Sequence, residues 1–145
     1  MKNKLVHFLL VEDDDNHAHL IIRSLERARI RNRVERVADG DLALKFLRRQ
    51  APFTDKKRPD VILLDLKLPK IDGHEVLKNI KEDPQLASIP VVIMTTSDAE
   101  TDLAKAYEYH ANSYLVKPID FDKFRQLVDE LSLYWGVWNA PPPQG

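Results

Sequence analysis

The sequence predicts an α/β fold in which a five-stranded parallel sheet carries helices on both faces. Short, mostly apolar runs alternate along the chain with stretches whose apolar residues recur at helical spacing. Alternation of this kind favours parallel strands joined by right-handed crossover helices. Two of the apolar runs end directly in carboxylates, and strand ends are where open sheets of this class place their ligands.

The composition is that of one ordinary globular domain. The 145 residues are 43% hydrophobic and 31% charged, and the formal net charge of −1 gives no pull toward nucleic acid or membranes. The chain has no cysteine, hence no disulfide and no cysteine-ligated zinc, which fits a reducing compartment. The apolar run over residues 5–11 is too short to cross a membrane. We therefore expect a cytoplasmic domain with no membrane attachment.

The strands are predicted from continuous or alternating apolar runs. A run that is apolar at every position is typical of a strand buried on both faces, whereas alternation indicates a strand that is half exposed. In chain order the predicted strands span residues 5–11, 33–37, 61–64, 89–94 and 113–116. Turn-forming pairs follow the second and third strands, namely Asp39-Gly40 and Asp72-Gly73.

The helices are predicted from apolar residues that recur every three or four positions. They begin near Asn16, cover 41–49, run from Gly73 to near Asp83, cover 99–111, and start after Asp120, which has the residue type of an N-cap. The stripes expected to face the core are Ala18, Ile21, Ile22 and Leu25; Ala43, Leu44 and Leu47; Val76, Leu77 and Ile80; Leu103, Ala106, Tyr107 and His110; and Phe121, Phe124, Leu127, Val128 and Leu131.

Five strands alternating with five helices suit the flavodoxin-like doubly wound order 2-1-3-4-5. In that order the first and third strands are neighbours at the topological switch point. Their ends carry Glu12, Asp13 and Asp65. The predicted topology therefore brings three carboxylates to one edge of the sheet.

The residue types at this edge point to phosphoryl chemistry. Three adjacent carboxylates repel one another unless a cation is present, and Mg²⁺ prefers such oxygen ligands. The fourth and fifth strands end in the Thr95 hydroxyl and the Lys117 ammonium. This set suits a phosphoryl group held by charge neutralisation, with a carboxylate oxygen of Asp65 as the nucleophile. Asp14 and Asp15 are interpreted as acids of a helix N-terminus.

Four motifs in this order resemble the receiver domain of response regulators, over roughly residues 5 to 132. They are Val-Glu-Asp-Asp at 11–14, Leu-Leu-Asp-Leu-Lys-Leu-Pro at 63–69 with Asp72-Gly73, Met-Thr-Thr at 94–96, and Tyr-Leu-Val-Lys-Pro at 114–118. The resemblance implies that Asp65 is the phosphoacceptor. It also implies that Mg²⁺ is bound by Glu12, Asp13, Asp65 and the backbone carbonyl of Lys67.

The same resemblance assigns the remaining residues of the site. Thr95 and Lys117 are expected to contact the phosphoryl group, with Thr95 and Tyr114 as the switch residues of a surface formed by the fourth helix, fifth strand and fifth helix. The Lys117-Pro118 peptide bond is expected to be cis. The chain would thus be a phosphoacceptor that catalyses only its own phosphotransfer and slow autodephosphorylation.

A narrower resemblance concerns the small response regulators of cyanobacterial and bacterial phytochromes. It rests on His110-Ala111-Asn112, where receivers usually have Gly-Ala, and on Arg58-Pro59-Asp60, Thr95-Thr96-Ser97 and Tyr134-Trp135. It implies that the phosphodonor is a phosphohistidine on a phytochrome-type sensor histidine kinase.

The C-terminal end is expected to form an interface rather than part of the phosphorylation site. We divide the chain into a receiver domain over 1–134 and an aromatic, Pro-rich extension over 135–145, with no output domain. Tyr134, Trp135 and Trp138 lie beyond the stripe assigned to the core, and apolar clusters of this kind mark interfaces. We interpret them as a homodimer face on the C-terminal helix, the alternative being that they fold back over the core.

The sequence is compatible with several alternative functions. The chain could be a phosphorelay intermediate or phosphate sink, a receiver-like adaptor that is never phosphorylated, or a small aspartyl-phosphate hydrolase. Such a hydrolase would want an acid two residues after the nucleophile, where this chain has Lys67. The six arginines between Arg23 and Arg36 are either a solvated surface or a docking patch, and the five histidines are interpreted as surface or partly buried side chains.

Overall fold

The computed structural model describes residues 5–27, 31–117 and 121–133. Within these residues five strands alternate with five helices, as the hydrophobic pattern predicts. They are β1 (Val6–Val11), α1 (Asp15–Glu26), β2 (Asn32–Val37), α2 (Gly40–Leu47), β3 (Val61–Leu64), α3 (Gly73–Glu82), β4 (Val91–Thr95), α4 (Glu100–Glu108), β5 (Ser113–Val116) and α5 (Phe121–Leu133).

The strands form one parallel sheet in the order β2-β1-β3-β4-β5, which confirms the predicted doubly wound topology. The register aligns the carboxyl ends of the two central strands, since Val11 at the end of β1 pairs with Leu64 at the end of β3. The residues that follow them, Glu12 and Asp65, are therefore brought to the same edge.

The sheet separates two layers of core. Ile62 and Leu64 of β3 pack with α2, α3 and Ala106 of α4, whereas Val61 and Leu63 pack with α1 and Phe124 of α5. All four β3 side chains are fully buried. This explains why the run over 61–64 is apolar at every position, because a strand covered on both faces has no solvent-facing side.

The predicted inner stripe of α4 is wrong at three of its four positions. Ala106 is fully buried, but Leu103 and Tyr107 are 38% and 49% exposed and His110 is exposed. The helix precedes β5, the edge strand of the sheet, so it has core beneath only one side. The small Ala106 side chain packs in that core, and the larger apolar residues of the helix remain at the surface.

Some predictions concern residues outside the described ranges. They are the cis bond at Pro118, the cap at Asp120, and the interface residues Tyr134, Trp135 and Trp138. The inward positions of Phe121, Val128 and Leu131 likewise stay predictions. Among the described helices, none combines the length and apolar character that a membrane span requires.

Candidate functional site

Four consecutive acids follow β1. Glu12 and Asp13 belong to the candidate site, and Asp14 and Asp15 stand at the start of α1. Glu12 is buried, with 1% of its surface exposed, whereas Asp13 is exposed. Asp14 caps α1, where its carboxylate accepts the N–H groups of Asn16 (2.8 Å) and His17 (3.1 Å). The His17 N–H holds the pKa of Asp14 below its usual value. Asp14 and Asp15 are thus N-terminal acids of α1, as predicted.

Asp65 follows β3 and is held by its own loop. Its Oδ1 accepts the Leu66 N–H at 2.7 Å and, more weakly, the Lys67 N–H at 3.4 Å, so Oδ2 faces the site. The loop folds tightly onto α3, since the Gly73 N–H donates to the Leu66 carbonyl at 2.7 Å. A Cβ on Gly73 would overlap the Asp65 carbonyl oxygen, so only glycine permits this approach.

Lys117 enters from the end of β5 and joins the acids. Its side chain is 2% exposed, and Nζ lies 2.5 Å from Glu12 Oε1 and 3.3 Å from Asp65 Oδ2. The backbone sets this position, because the Lys117 N–H donates to the Thr95 carbonyl at 2.7 Å. A buried ammonium between two carboxylates offsets part of their repulsion.

Glu12, Asp13 and Asp65 form a cluster suited to a divalent cation. One carboxylate oxygen from each lies within 4.8 Å of the other two. Burial raises the pKa of Glu12 to about 7, aided by the charge on Asp65 and opposed by Lys117. Oxygen ligands of high negative charge are those that hard divalent ions prefer. The donor set therefore fits such an ion.

Thr95 and Tyr114 meet at Ser97, in the loop after β4. The buried Thr95 hydroxyl accepts the Ser97 N–H at 3.3 Å, and the Tyr114 hydroxyl donates to the Ser97 carbonyl at 2.9 Å. Burial raises the pKa of Tyr114 further above neutral pH, which is consistent with its hydroxyl acting as a donor. Ser97 in turn donates to the Asp102 carboxylate of α4 at 2.6 Å. These contacts connect the end of β4 to α4 and β5.

The structure brings together Glu12, Asp13, Asp65 and Lys117, as predicted from the order of the strands. For Lys67 the described contact is through its N–H, and a metal-binding role for its carbonyl stays a prediction. Thr95 ends the strand next to β3, and its contact with a phosphoryl group likewise stays a prediction.

Two residues of the site were missed at the level of sequence. His17 Nδ1 lies 3.1 Å from Lys117 Nζ. Arg36 donates through Nε and Nη2 to the Glu12 carbonyl at 2.9 and 2.8 Å, and through Nη1 to Asp15 at 2.8 Å. The available signals were a histidine in the first turn of the helix that follows the acids, and an arginine on the strand expected beside β1. The interpretation of all five histidines as surface or partly buried was also wrong for His74, which is buried.

A comparison with protein families matches the part of the chain that contains the candidate site. The family model of the response regulator receiver domain matches residues 8–129. That range spans the acidic loop after β1, the β3–α3 loop and the ends of β4 and β5.

Curated relatives are similar over most of their length. The protein named "Probable methanogenesis regulatory protein FilR2" from Methanothrix harundinacea is 47% identical over 134 residues, which are 92% of this chain and 86% of FilR2. Response regulator Rcp1 from Synechocystis is 40% identical over 127 residues, 88% of this chain and 86% of Rcp1.

Solved structures share the fold. The phosphorylated cyanobacterial phytochrome response regulator RcpA superposes with a TM-score of 0.93 at 37% identity, over 97% of this chain and 100% of RcpA. The Mn²⁺-bound form of Rcp1 has a TM-score of 0.91 at 38% identity, over 95% of this chain and 99% of Rcp1.

Proposed function

This chain belongs to the response regulator receiver family and is thus a phosphoacceptor of two-component signalling, and we propose that Asp65 is the residue that accepts the phosphoryl group. The observation that carries the proposal is the position of Asp65 Oδ2, which faces the buried Lys117 ammonium while Oδ1 is held by backbone N–H groups. One carboxylate oxygen is fixed by the loop and the other is directed into the site.

We infer that the cation of the site is Mg²⁺, held by Glu12, Asp13, Asp65 and the Lys67 carbonyl. The described carboxylate cluster supports this, as does the Mn²⁺-bound form of the similar protein Rcp1. Mg²⁺ binds few protein carboxylates, retains waters and contacts phosphate oxygens, and when bound it neutralises charge on the transferring phosphoryl group.

The protein's own residues supply position and charge. Asp65 Oδ2 attacks phosphorus, a P–O bond forms, and the bond from phosphorus to the donor nitrogen breaks, leaving the donor imidazole to be reprotonated. Lys117 moves from the carboxylates to a phosphoryl oxygen, and the Thr95 hydroxyl donates to another. In the described state the Tyr114 hydroxyl contacts the Ser97 carbonyl. A movement of the loop after β4 would therefore be passed to α4 and β5 through this contact.

Incubation with acetyl phosphate and Mg²⁺ tests this proposal. We expect the intact mass to rise by one phosphoryl group in the wild type and not in Asp65→Asn. An unmodified wild type would support the adaptor alternative, and continuing release of phosphate in large excess over protein would support the hydrolase. The Lys67 side chain, where a hydrolase would want an acid, favours a long-lived phosphoryl group and slow autodephosphorylation.

We propose a sensor histidine kinase of the phytochrome type as the phosphodonor. The likeness to Rcp1 and RcpA supports this choice, whereas FilR2 is named for the regulation of methanogenesis. Because such kinases would use cytoplasmic ATP, we propose that the reaction occurs in the cytoplasm. Transfer rates from a phosphorylated phytochrome-type kinase and from a kinase with another sensor domain separate the two pathways, with faster transfer from the first expected.

We also propose that the chain forms a homodimer through the C-terminal helix face and does not bind nucleic acid directly. Leu103 and Tyr107 of α4 and Val116 of β5 are exposed large apolar residues, and such area favours an interface. The formal net charge of −1 lacks the excess of basic residues that proteins binding DNA or RNA carry.

A further inference from the structure

His17 lies inside the site but has no part in the phosphoryl transfer described above. It belongs to the first turn of α1, is half-buried, and its Nδ1 lies 3.1 Å from Lys117 Nζ. The helix begins directly at the acidic loop because Asp14 caps it, and one of the two cap hydrogen bonds comes from the His17 N–H itself. The same turn that orders the acids thus orients the imidazole.

The hydrogen-bonding capacity of Lys117 defines the direction of its contact with His17. An ammonium carries three N–H donors and no acceptor. Three acceptors surround Lys117 Nζ, at 2.5 Å (Glu12 Oε1), 3.1 Å (His17 Nδ1) and 3.3 Å (Asp65 Oδ2). In this contact Lys117 is the donor and His17 Nδ1 the acceptor, since an ammonium has no lone pair to offer.

We propose that His17 is a positioning residue that directs the Lys117 ammonium toward the phosphoryl group on Asp65. This inference rests on the proposed function. Two of the three contacts of Lys117 are with carboxylates, which would otherwise draw it toward the deeply buried Glu12. The His17 acceptor on α1 holds the third N–H of Lys117 from another element of the fold. Lys117 can then release Asp65 for the phosphoryl group without withdrawing fully onto Glu12.

Side-chain geometry supplies a matched pair of variants. The Oδ1 atom of asparagine is bonded to Cγ, as is Nδ1 of histidine, so His17→Asn keeps an acceptor in the same position. Leucine has the same branching and a similar size without the acceptor. We expect His17→Leu to slow phosphorylation by acetyl phosphate at saturating Mg²⁺ on the order of tenfold, the usual effect of one hydrogen bond. His17→Asn should stay within about twofold of the wild type.

A double-mutant comparison separates positioning from a structural effect. If His17 acts through Lys117, then His17→Leu should leave the residual rate of Lys117→Ala unchanged. Equal losses in the leucine and asparagine variants, or a tenfold loss that persists with Lys117→Ala, would overturn the proposal. Wild-type rates in His17→Leu would overturn it too. An unphosphorylated wild type would instead contradict the proposed function.

A measurement on the wild type makes the test independent of variant folding. Nitrogen-15 shifts of the imidazole at about pH 8 should show the proton of His17 on Nε2 and an acceptor at Nδ1. A proton on Nδ1 in the unphosphorylated protein would contradict the proposed contact with Lys117.

Discussion

Glu12 is the buried acid of the cluster, and its protonation should control metal binding. Burial raises its pKa to about 7 from the ordinary value of 4.5, so between these values the folded protein holds a proton that the unfolded chain has lost. Since the native state then binds more protons, this residue's contribution to stability falls as pH rises through that window. A metal ion competes with the same proton.

We therefore predict that the affinity for Mg²⁺ increases as pH rises from about 6 to about 8. Calorimetric titration across this range measures the affinity and the protons released. Glu12→Gln, which has no proton to lose, should flatten the dependence. An affinity that is independent of pH in the wild type would contradict the assignment of Glu12 to the metal.

Lys117 is the buried cation of the site, and removing its side chain leaves two acids facing each other. Breaking a buried pair costs more than an exposed one, since the remaining charge is desolvated without a partner. We predict that Lys117→Ala lowers the free energy of unfolding by about 3 kcal/mol at neutral pH, measured by urea denaturation. Saturating Mg²⁺ should recover part of the loss. Lys45→Ala, which breaks the exposed i,i+4 pair with Asp41, is the control and should cost under about 1 kcal/mol.

At the level of elements, the β3–α3 loop depends on the absence of one side chain. In Gly73→Ala the new Cβ would overlap the Asp65 carbonyl oxygen and lie 2.5 Å from the Leu66 Cα, both backbone atoms that cannot move aside. We predict a loss of about 1–3 kcal/mol in unfolding free energy, together with slower phosphorylation, because Asp65 is displaced. Glu82→Ala, an exposed substitution in the same helix, should change neither quantity appreciably. A Gly73→Ala protein with wild-type stability would show that the loop is more open than described.

The elements also show what a sequence can and cannot predict. The run over 61–64 identified β3 because short, continuously apolar segments are typical of strands buried on both faces, and the adjacency of Asp65 to Glu12 and Asp13 followed from parallel topology. The α4 stripe failed because helical periodicity identifies an apolar face but not how much sheet lies beneath it. His17 and Arg36 were missed because their contacts join positions 100 and 24 residues apart. Such side-chain pairings depend on the tertiary arrangement of the elements.

At the scale of the whole molecule, the proposed phosphorylation site and the exposed apolar surface lie on connected elements. Tyr114 of β5 and Asp102 of α4 both contact Ser97, while Leu103 and Tyr107 of the same helix face solvent. We expect a change at Thr95 or Lys117 on phosphorylation to reach the exposed apolar surface that we propose for the homodimer. This connection is the route by which phosphorylation would affect the proposed homodimer.

We predict that Tyr107→Glu shifts the protein from dimer to monomer, because it places a charge in the proposed apolar interface. Light scattering coupled to size-exclusion chromatography, with and without phosphorylation, measures the mass. Thr101→Glu is an exposed control with the same added charge on another side of α4. A monomeric wild type in both states, or equal effects of the two variants, would contradict the proposed interface.

The central claim is that the phosphoryl group resides on Asp65, and chemical trapping locates it most directly. Borohydride reduces an aspartyl phosphate to homoserine, so the protein is phosphorylated with acetyl phosphate and Mg²⁺, reduced, digested and sequenced by mass spectrometry. We predict homoserine at position 65 and at no other aspartate. Homoserine at Asp13 or Asp14, or a phosphoryl group that resists reduction because it lies on another residue type, would contradict the claim.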